Sequence, residues 1–354
     1  MRRIIWPVAL APCAHMCWER HKLKRLETEW NGQPLFQITL SSDLMQVDVL
    51  NLGAVLQRIS WAGQEHNLCL GYPTVDPYLT NPGKLGAIVG RYANRINHAQ
   101  AMIDGVPCKF DANNGAHCLH GGRETLGLRA FDVLEHSGSH VVLFQRMPDG
   151  HMGFPGALDV WVTYRLQGAT LGIDIRAKTD ATTLCNITGH SYFNFTGAPT
   201  IADHQLHVAA SEVLEVDETG IPSGTKMDVT ETQFDFQTPA VLTQGDHPVN
   251  IDHNYCVSQG RADLRPIAWL SGGDTRMELA STEPGLQVYT GAGLGADLPS
   301  APTGRAFHPY AGIALEPQIW PDSPSHLEFA QAILHPNDEY HHQIEYRFMR
   351  DGIL

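Results

Sequence analysis

The chain has 354 residues, of which 43% are hydrophobic, and a formal net charge of −14 at pH 7. That length allows one large domain or two ordinary ones, and the hydrophobic content suffices for a sizeable core. The negative charge, with no Lys- or Arg-rich run to offset it, argues against nucleic acid and anionic membranes as partners. No stretch approaches the roughly 18 apolar residues that a membrane-spanning helix needs.

The first residues differ in character from the rest of the chain. Residues 1–25 begin with Met-Arg-Arg and a short apolar run similar to a weak signal peptide, but two prolines interrupt that run and its flank is charged. We therefore expect a loose N-terminal extension, followed by a single domain over residues 26–354. The seven cysteines are widely spaced and include no Cys-x-x-Cys motif, which favours reduced thiols and a cytoplasmic location.

From Pro34 onward, short strands dominate the pattern. Residues 157–166 and 171–178 alternate apolar with polar side chains, as half-buried antiparallel strands do, and Gln167-Gly168-Ala169 between them predicts a hairpin. With 33 Gly, 22 Pro and no long amphipathic pattern, we predict an all-β protein, a large antiparallel β-sandwich. Further strands are expected at residues 35–40, 47–50, 101–110 with a turn at Asp104-Gly105, 141–145, 206–209 and 344–348.

Five polar clusters interrupt these strands. Residues 90–96 (GRYANRI) offer two guanidinium groups and an amide, and residues 119–122 (LHGG) place an imidazole beside two glycines that allow a sharp turn. Residues 188–195 (TGHSYFNF) combine polar groups with flat aromatic rings, a mixture suited to carbohydrate. These three clusters also have structural interpretations. Residues 90–96 would be a salt-bridged strand end, residues 119–122 would hold a structural histidine in an open loop, and residues 188–195 would be a buried strand. Residues 252–254 (DHN) and 283–291 (EPGLQVYTG) are weaker signals alone.

Residues 314–322 (ALEPQIWPD) hold a single glutamate, Glu316, between an apolar run and two prolines. This arrangement predicts a carboxylate held at the end of a buried strand, where it enters a stiff loop. Nearby backbone amides that bind the carboxylate would be the structural alternative. Trp320 in the same stretch either stacks on a sugar or packs in the core.

Taken in chain order, these motifs resemble the aldose 1-epimerase (galactose mutarotase) family. The six motifs are Gly-Arg-x-Ala-Asn-Arg-Ile, Leu-His-Gly-Gly, His-x-Tyr-Phe-Asn, Asp-His-Asn, Pro-Gly-x-Gln-x-Tyr-Thr-Gly and Leu-Glu-x-Gln-x-x-Pro-Asp. The resemblance runs from about residue 30 to the C-terminus. It implies a galactose-mutarotase-like β-sandwich with an open cleft, and cofactor-free interconversion of the α and β anomers of free aldoses such as galactose or glucose.

The resemblance also implies roles for eight residues. Glu316 matches the general base that takes the proton of the anomeric hydroxyl, and His190 matches the general acid that protonates the ring oxygen. An imidazole and a carboxylate can be correctly protonated together near neutral pH, so these residue types suit that reaction. The remaining residues match groups that contact the sugar: His120 and Arg95 near the ring oxygen, Asn94 and Tyr192 beside them, and Asp252 and Gln287 at the distal hydroxyls.

The sequence departs from the family at two positions. The family usually has Asn at the position of Gly189. It often has Asn at the position of Ala292. If these amides lie near the pocket, their loss affects which sugar fits rather than whether catalysis occurs. The preferred sugar therefore stays open.

Three other functions remain alternatives. A hexose-6-phosphate 1-epimerase would need a basic cluster larger than Arg91 and Arg95. A glycosidase would use Asp252 and Glu316 as paired carboxylates, and a non-catalytic carbohydrate-binding protein would not need both an acid and a base.

We expect no metal and no cofactor. His341 and His342, for example, are adjacent on a strand and should point to opposite faces. The expected partner is a small monosaccharide, bound by a monomer or a homodimer.

Overall fold

The structure is a computed structural model that describes residues 22–61, 67–245, 247–295, 298 and 307–351. Most of the predicted N-terminal extension, residues 1–21, lies outside the described residues. The first strand begins at Lys22, so residues 22–25, the end of that predicted extension, belong to a strand.

In chain order the strands are β1 (Lys22–Trp30), β2 (Gln33–Ser41), β3 (Met45–Leu50), β4 (Leu56–Trp61), β5 (Ile88–Val89), β6 (Arg95–Ile96), β7 (Gln100–Ile103), β8 (Val106–Lys109), β9 (Cys118–Leu119), β10 (Asp132–His136), β11 (His140–Met147), β12 (Leu158–Gln167), β13 (Thr170–Thr179), β14 (Thr183–Leu184), β15 (Thr188–Gly189), β16 (Tyr192–Phe193), β17 (Gln205–Val208), β18 (Glu212–Val216), β19 (Pro222–Asp228), β20 (Ala240–Val241), β21 (Thr243–Gln244), β22 (His247–Pro248), β23 (Asp252–Cys256), β24 (Arg265–Gly272), β25 (Thr275–Ser281), β26 (Gly285–Tyr289), β27 (Ile313–Gln318), β28 (Ile333–Leu334) and β29 (Tyr340–Arg350). Short 3₁₀ helices span Asp76–Leu79, Asn97–Ala99, Leu126–Leu128, His151–Gly153 and Ser323–Ser325. No helix within the described residues is both long and apolar enough to cross a membrane.

The predicted strands are present, and the alternating segments behave as expected. Strands β12 and β13 bury every second side chain and pair antiparallel. Their hairpin turn is one residue shorter than predicted, because Gln167 still pairs with Thr170. The turn at Asp104-Gly105 joins β7 to β8, and both turn residues have positive φ.

Three antiparallel sheets form most of the fold. A nine-stranded sheet has the order β10-β11-β12-β13-β29-β25-β24-β17-β20, a six-stranded sheet has the order β16-β27-β26-β23-β18-β19, and β1 to β4 form a third sheet in sequence order. Side chains from all three meet in one large hydrophobic core, to which Ile175, Leu315 and Val47 contribute one example each. The all-β sandwich predicted from the sequence is confirmed.

The six-stranded sheet separates this core from a polar cavity. On β26 and β27, Leu286, Val288 and Leu315 join the core. The residues between them, including Gln287 and Glu316, point to the opposite face because side chains alternate along a strand. One face of this sheet therefore builds the fold, and the other presents polar groups.

Candidate active site

A cavity of about 280 Å³ lies against the polar face of the six-stranded sheet. Its volume is near the lower end of the roughly 300–1,000 Å³ of ligand pockets, as expected for a small ligand. All eight residues singled out in the sequence line it. Four come from the sheet, Tyr192, Asp252, Gln287 and Glu316, and four come from or beside short strands and loops, Asn94, Arg95, His120 and His190.

Glu316 lies within β27, two residues before that strand ends, and is paired in register with Gln287. The prediction that it sits at the strand end was wrong, because β27 continues through Pro317. This proline is tolerated since β16 pairs with β27 only at Ile313 and Ala314, leaving the later edge of the strand unpaired on that side.

The Glu316 carboxylate is 2% exposed, and among the described residues no backbone amide donates a hydrogen bond to it. Within the described part of the chain, its Oε2 has no hydrogen-bond partner, and its Oε1 lies 3.5 Å from Nε2 of His190. Burial raises the pKa of Glu316 well above its usual value, the negative charge of Asp252 raises it further, and Arg95 opposes the rise. Because its pKa is raised, this carboxylate takes up a proton more readily than an exposed carboxylate does.

His190 follows β15 and is fixed through its main chain. Its N–H donates to the carbonyl of Ala87 at 2.8 Å, and its carbonyl accepts from the N–H of Gly86 at 3.0 Å. The imidazole ring lies 5.3 Å from the ring of His120 and 5.0 Å from that of Tyr192, measured between centroids. Burial lowers the pKa of His190 to about 4.

Asn94 and His120 hold each other in place. Both have positive φ, and each backbone N–H bonds to the other residue: Asn94 N–H donates to Nδ1 of His120 and His120 N–H donates to the Asn94 carbonyl. Gly121 follows at φ +84, where a Cβ would lie 2.4 Å from the carbonyl oxygen of Gly90. The expectation of an imidazole open at a loop was wrong, because His120 is 7% exposed and lines the cavity.

Asp252 and Gln287 form a polar pair on the sheet. The amide Nε2 of Gln287 donates to Oδ1 of Asp252 at 2.7 Å, and the buried Oε1 of Gln287 has no partner among the described residues. Arg95 lies nearby and its Nε donates to Asn114 at 3.1 Å. These groups present both donors and acceptors to the cavity, as recognition of hydroxyl groups requires.

Comparison with known proteins identifies the family. A family model described as aldose 1-epimerase matches residues 37–347. The galactose mutarotase of Sus scrofa is 36% identical over 316 residues, which cover 86% of this chain and 91% of that protein. The aldose 1-epimerase of Escherichia coli K12 is 33% identical over 342 residues, which cover 91% of this chain and 97% of that protein.

The chain belongs to the aldose 1-epimerase family.

Solved structures agree with this assignment. An aldose epimerase homologue from C. elegans superposes with a TM-score of 0.83 at 27% identity and covers 89% of this chain and 98% of its own. The galactose 1-epimerase of Lactobacillus acidophilus superposes with a TM-score of 0.80 at 25% identity. The match covers 93% of this chain and 98% of that protein. The family resemblance inferred from six short motifs is confirmed.

Several residues of the family motifs lie outside the cavity. Arg91 is fully buried and donates to the carbonyls of Pro148, Pro155 and Gly156, so it supports the fold. Trp320 is 2% exposed, packs edge-on against a phenylalanine and donates to a backbone carbonyl, which makes it a core residue rather than a sugar platform.

The departure from the family at Gly189 also points away from the sugar. A Cβ at this position would face Ile88, Ile173 and the hydroxyl of Tyr346, all at 3.8 to 4.0 Å, and Gly189 does not line the cavity. The Tyr346 hydroxyl is buried without a hydrogen-bond partner among the described residues. The departure at this position therefore lies in the core and not in the lining of the cavity.

The cavity residues to which the sequence assigned no role include Lys84, Tyr289, Leu294 and Leu298. Tyr289 could have been found, because it follows Gln287 at the spacing of two that places both on one face of a strand. The others reach the cavity through loops, and loop geometry leaves no periodic signal in a sequence.

Three side chains that line the cavity could also bind a metal ion. His120, His190 and Glu316 offer ligand atoms within 4.8 Å of one another, a donor set that suits zinc. Of the adjacent histidines considered earlier, His341 contacts Asp174 at the surface while His342 is buried, so they do point to opposite faces.

A buried histidine outside the cavity gives a stability prediction. Burial lowers the pKa of His204 from 6.5 to about 4, and its Nε2 accepts from the Phe195 N–H at 2.8 Å. A folded pKa below the unfolded one gives stability that is fully present above pH 6.5 and is lost as the pH falls through 4. The difference between the unfolded and folded pKa of His204 corresponds to about 3 kcal/mol of folding stability.

We therefore expect the free energy of unfolding of the wild type to fall about 3 kcal/mol more between pH 7 and pH 4 than that of His204→Asn. Urea unfolding at a series of pH values measures both. Comparing the two proteins cancels the contributions of other buried groups that titrate in the same range. Parallel pH profiles would contradict the prediction.

Proposed function

We propose that the protein is an aldose 1-epimerase, an isomerase that interconverts the α and β anomers of free aldoses such as galactose or glucose. The observation that carries the proposal is the placement of the Glu316 carboxylate 3.5 Å from the His190 imidazole inside a polar cavity. Membership of the aldose 1-epimerase family, with a galactose mutarotase and an aldose 1-epimerase among the relatives, supports it.

The short distance between the two side chains suits the reaction. Mutarotation breaks the bond between the anomeric carbon and the ring oxygen while the anomeric hydroxyl loses its proton. Both oxygens are bound to the same carbon, so a base at one and an acid at the other must be close neighbours. Glu316 is assigned to the hydroxyl and His190 to the ring oxygen.

The reaction then needs no net proton from solvent. Glu316 takes the proton of the anomeric hydroxyl as His190 gives one to the ring oxygen, which opens the ring to an aldehyde. Rotation about the bond between the first two carbons presents the other face of the carbonyl, and reclosure returns both protons. No electron is gained or lost, so the residues of the cavity provide what the chemistry requires.

The opposing pKa shifts of the two groups fit this proton exchange. Burial lowers the pKa of His190 and raises that of Glu316. With one proton on the pair, neutral imidazole with carboxylic acid and imidazolium with carboxylate differ only in where that proton lies. The pair can therefore reach its reactive form by moving the proton within the site.

The other polar residues are assigned to sugar binding. Asp252 and Gln287 hold hydroxyls distant from the reacting carbon, and Arg95, His120, Asn94 and Tyr192 surround the ring-oxygen side. The five described cysteines are free thiols, which fits the proposed cytoplasmic location. A monosaccharide ligand and a monomeric or homodimeric state complete the proposal.

Polarimetry tests the proposed activity. Freshly dissolved α-D-glucose and α-D-galactose should approach their usual final rotations faster with catalytic amounts of protein than in buffer. The ratio of the two rates measures the preference between these sugars. No acceleration with either sugar, nor with any other free aldose, would overturn the proposal.

We expect mutarotation to survive chelation, because acid and base catalysis by Glu316 and His190 needs no metal. Activity should be unchanged after incubation with EDTA and gel filtration. Loss of activity that zinc restores would instead assign His120, His190 and Glu316 to a metal site. Inhibition by added zinc alone would be compatible with the proposal, since the same three atoms would then be blocked.

A further inference from the structure

Lys84 is a cavity residue with no part in the reaction described above. It lies on a loop whose turn is closed by two backbone hydrogen bonds, from Lys84 N–H to the Asn81 carbonyl at 2.9 Å and from Ala87 N–H to the Lys84 carbonyl at 3.0 Å. The same loop bonds to the main chain of His190 through Gly86 and Ala87. Lys84 is therefore held on the His190 side of the cavity.

The charges around the cavity are unevenly distributed. The carboxylates of Asp252 and Glu316 interact with each other and with Arg95, and the pKa of Glu316 reflects both neighbours. Lys84 acts on the two histidines: burial lowers the pKa of His120 and of His190, and the positive charge of Lys84 lowers both further. His190 and Arg95 also lower the pKa of His120. In the part of the chain that the structure describes, no carboxylate lies within ion-pair distance of Lys84.

Burial of this ammonium group has a cost. Lys84 lies partly covered at the cavity wall, and desolvation lowers its pKa. Its backbone also has φ +56, a region that residues other than glycine, asparagine and aspartate seldom adopt. A ligand that brings a negative charge to this wall would offset the desolvation cost.

The proposed reaction fixes which part of a sugar faces Lys84. His190 is assigned to the ring oxygen, and in a hexopyranose the carbon next to that oxygen carries C6. A substituent at C6 therefore lies on the side of the ring oxygen, the side of the cavity where Lys84 is held.

We propose that Lys84 is a specificity residue that binds a carboxylate at C6, so that the substrates of this enzyme include hexuronic acids such as galacturonate. This inference rests on the proposed mutarotation, since it uses the orientation of the sugar between Glu316 and His190. One ammonium group matches a carboxylate better than a phosphate, which usually binds several donors. The small cavity also favours the smaller group.

The test compares substrates that differ only at C6. Anomer interconversion of D-galacturonate, its neutral methyl ester, D-galactose and D-glucose 6-phosphate is measured by proton NMR exchange spectroscopy at pH 7. The proteins are the wild type, Lys84→Met, Lys84→Arg and Lys178→Met. Lys178 is a matched control because its side chain is 60% exposed and pairs with Glu339 on the surface.

For the wild type we expect kcat/KM for galacturonate to equal or exceed that for galactose and to exceed that for the methyl ester. Lys84→Met should lower the ratio of galacturonate to galactose about 10- to 100-fold, mostly through KM, because a charge-assisted hydrogen bond is lost. Lys84→Arg should restore most of that ratio, and Lys178→Met should leave it unchanged.

Each other outcome has a definite meaning. A ratio unchanged in Lys84→Met, or a wild type that acts on galactose but not on galacturonate, would overturn the inference and leave mutarotation standing. A preference for glucose 6-phosphate that depends on Lys84 would replace the carboxylate with a phosphate and overturn the assignment. Activity on none of the sugars would overturn the proposed function itself.

Discussion

Replacement of Glu316 by glutamine is expected to lower kcat for mutarotation about 10²- to 10⁴-fold, with little change in KM, because the amide cannot accept the proton of the anomeric hydroxyl. The fold should not suffer. A carboxyl whose folded pKa is raised contributes stability that is lost as the pH rises through that pKa. The variant lacks this loss, so its melting temperature should match or exceed that of the wild type, increasingly so from pH 5 to pH 8.

Glu283→Gln provides the matched control. Glu283 is another fully buried glutamate, but it lies outside the cavity and accepts from Arg261 at 3.0 Å and from Tyr340 at 3.2 Å. Its replacement leaves the partly exposed guanidinium group of Arg261 without its counter-charge and weakens a hydrogen-bond network around the buried Glu283 side chain, so we expect lower stability and normal turnover per folded molecule. Polarimetry and thermal unfolding of the two variants should give opposite patterns. Near-normal turnover in Glu316→Gln would remove Glu316 as the base.

His190→Asn should lower kcat by a comparable factor, about 10²- to 10⁴-fold, because asparagine cannot protonate the ring oxygen. Sugar binding should change much less, since the other polar residues of the cavity remain. Polarimetry over a range of sugar concentrations separates kcat from KM. A variant that loses affinity but keeps kcat would show that His190 binds the sugar rather than acting as the acid.

His204→Asn controls for the loss of a buried histidine. His204 also has a pKa lowered to about 4, but it lies outside the cavity and bonds to the main chain of Phe195. We expect this variant to lose stability near neutral pH and to retain kcat. If both histidine variants lost kcat equally, the effect of His190→Asn would reflect a disturbed fold rather than lost chemistry.

The sequence was most informative where local periodicity and strand structure coincide. Strands β12 and β13 could be predicted from alternation alone because one of their faces is in the core and the other meets solvent. β27 has no such alternation, since all six of its residues are buried. The apolar run before Glu316 indicated a strand but not its end, because the cavity side of the sheet is buried too.

The chemical identity of the site could be predicted better than its shape. Six motifs separated by tens to more than a hundred residues each marked a polar segment, and the resemblance between their order and the family supplied the link among them. Sequence alone gave no account of which members of each motif face the cavity. Arg91 and Arg95 are four residues apart, yet one donates to three core carbonyls and the other lines the cavity.

The loop that bears Lys84 and the segment around Leu294 and Leu298 could not be predicted as neighbours. They are separated by about two hundred residues and follow elements of different sheets, β4 of the four-stranded sheet and β26 of the six-stranded sheet, yet both line the cavity. Contacts of this kind depend on the whole topology, which no local pattern encodes.

The two faces of the six-stranded sheet have an evolutionary consequence. On β26 and β27, residues of the core alternate with residues assigned to the chemistry, so a one-residue insertion would exchange the two sets and destroy fold and catalysis together. Selection that preserves the fold therefore also preserves the positions of the acid and base residues on these strands. New substrates can be acquired through the loops at the cavity mouth, where Lys84 and Leu298 can vary without shifting a strand.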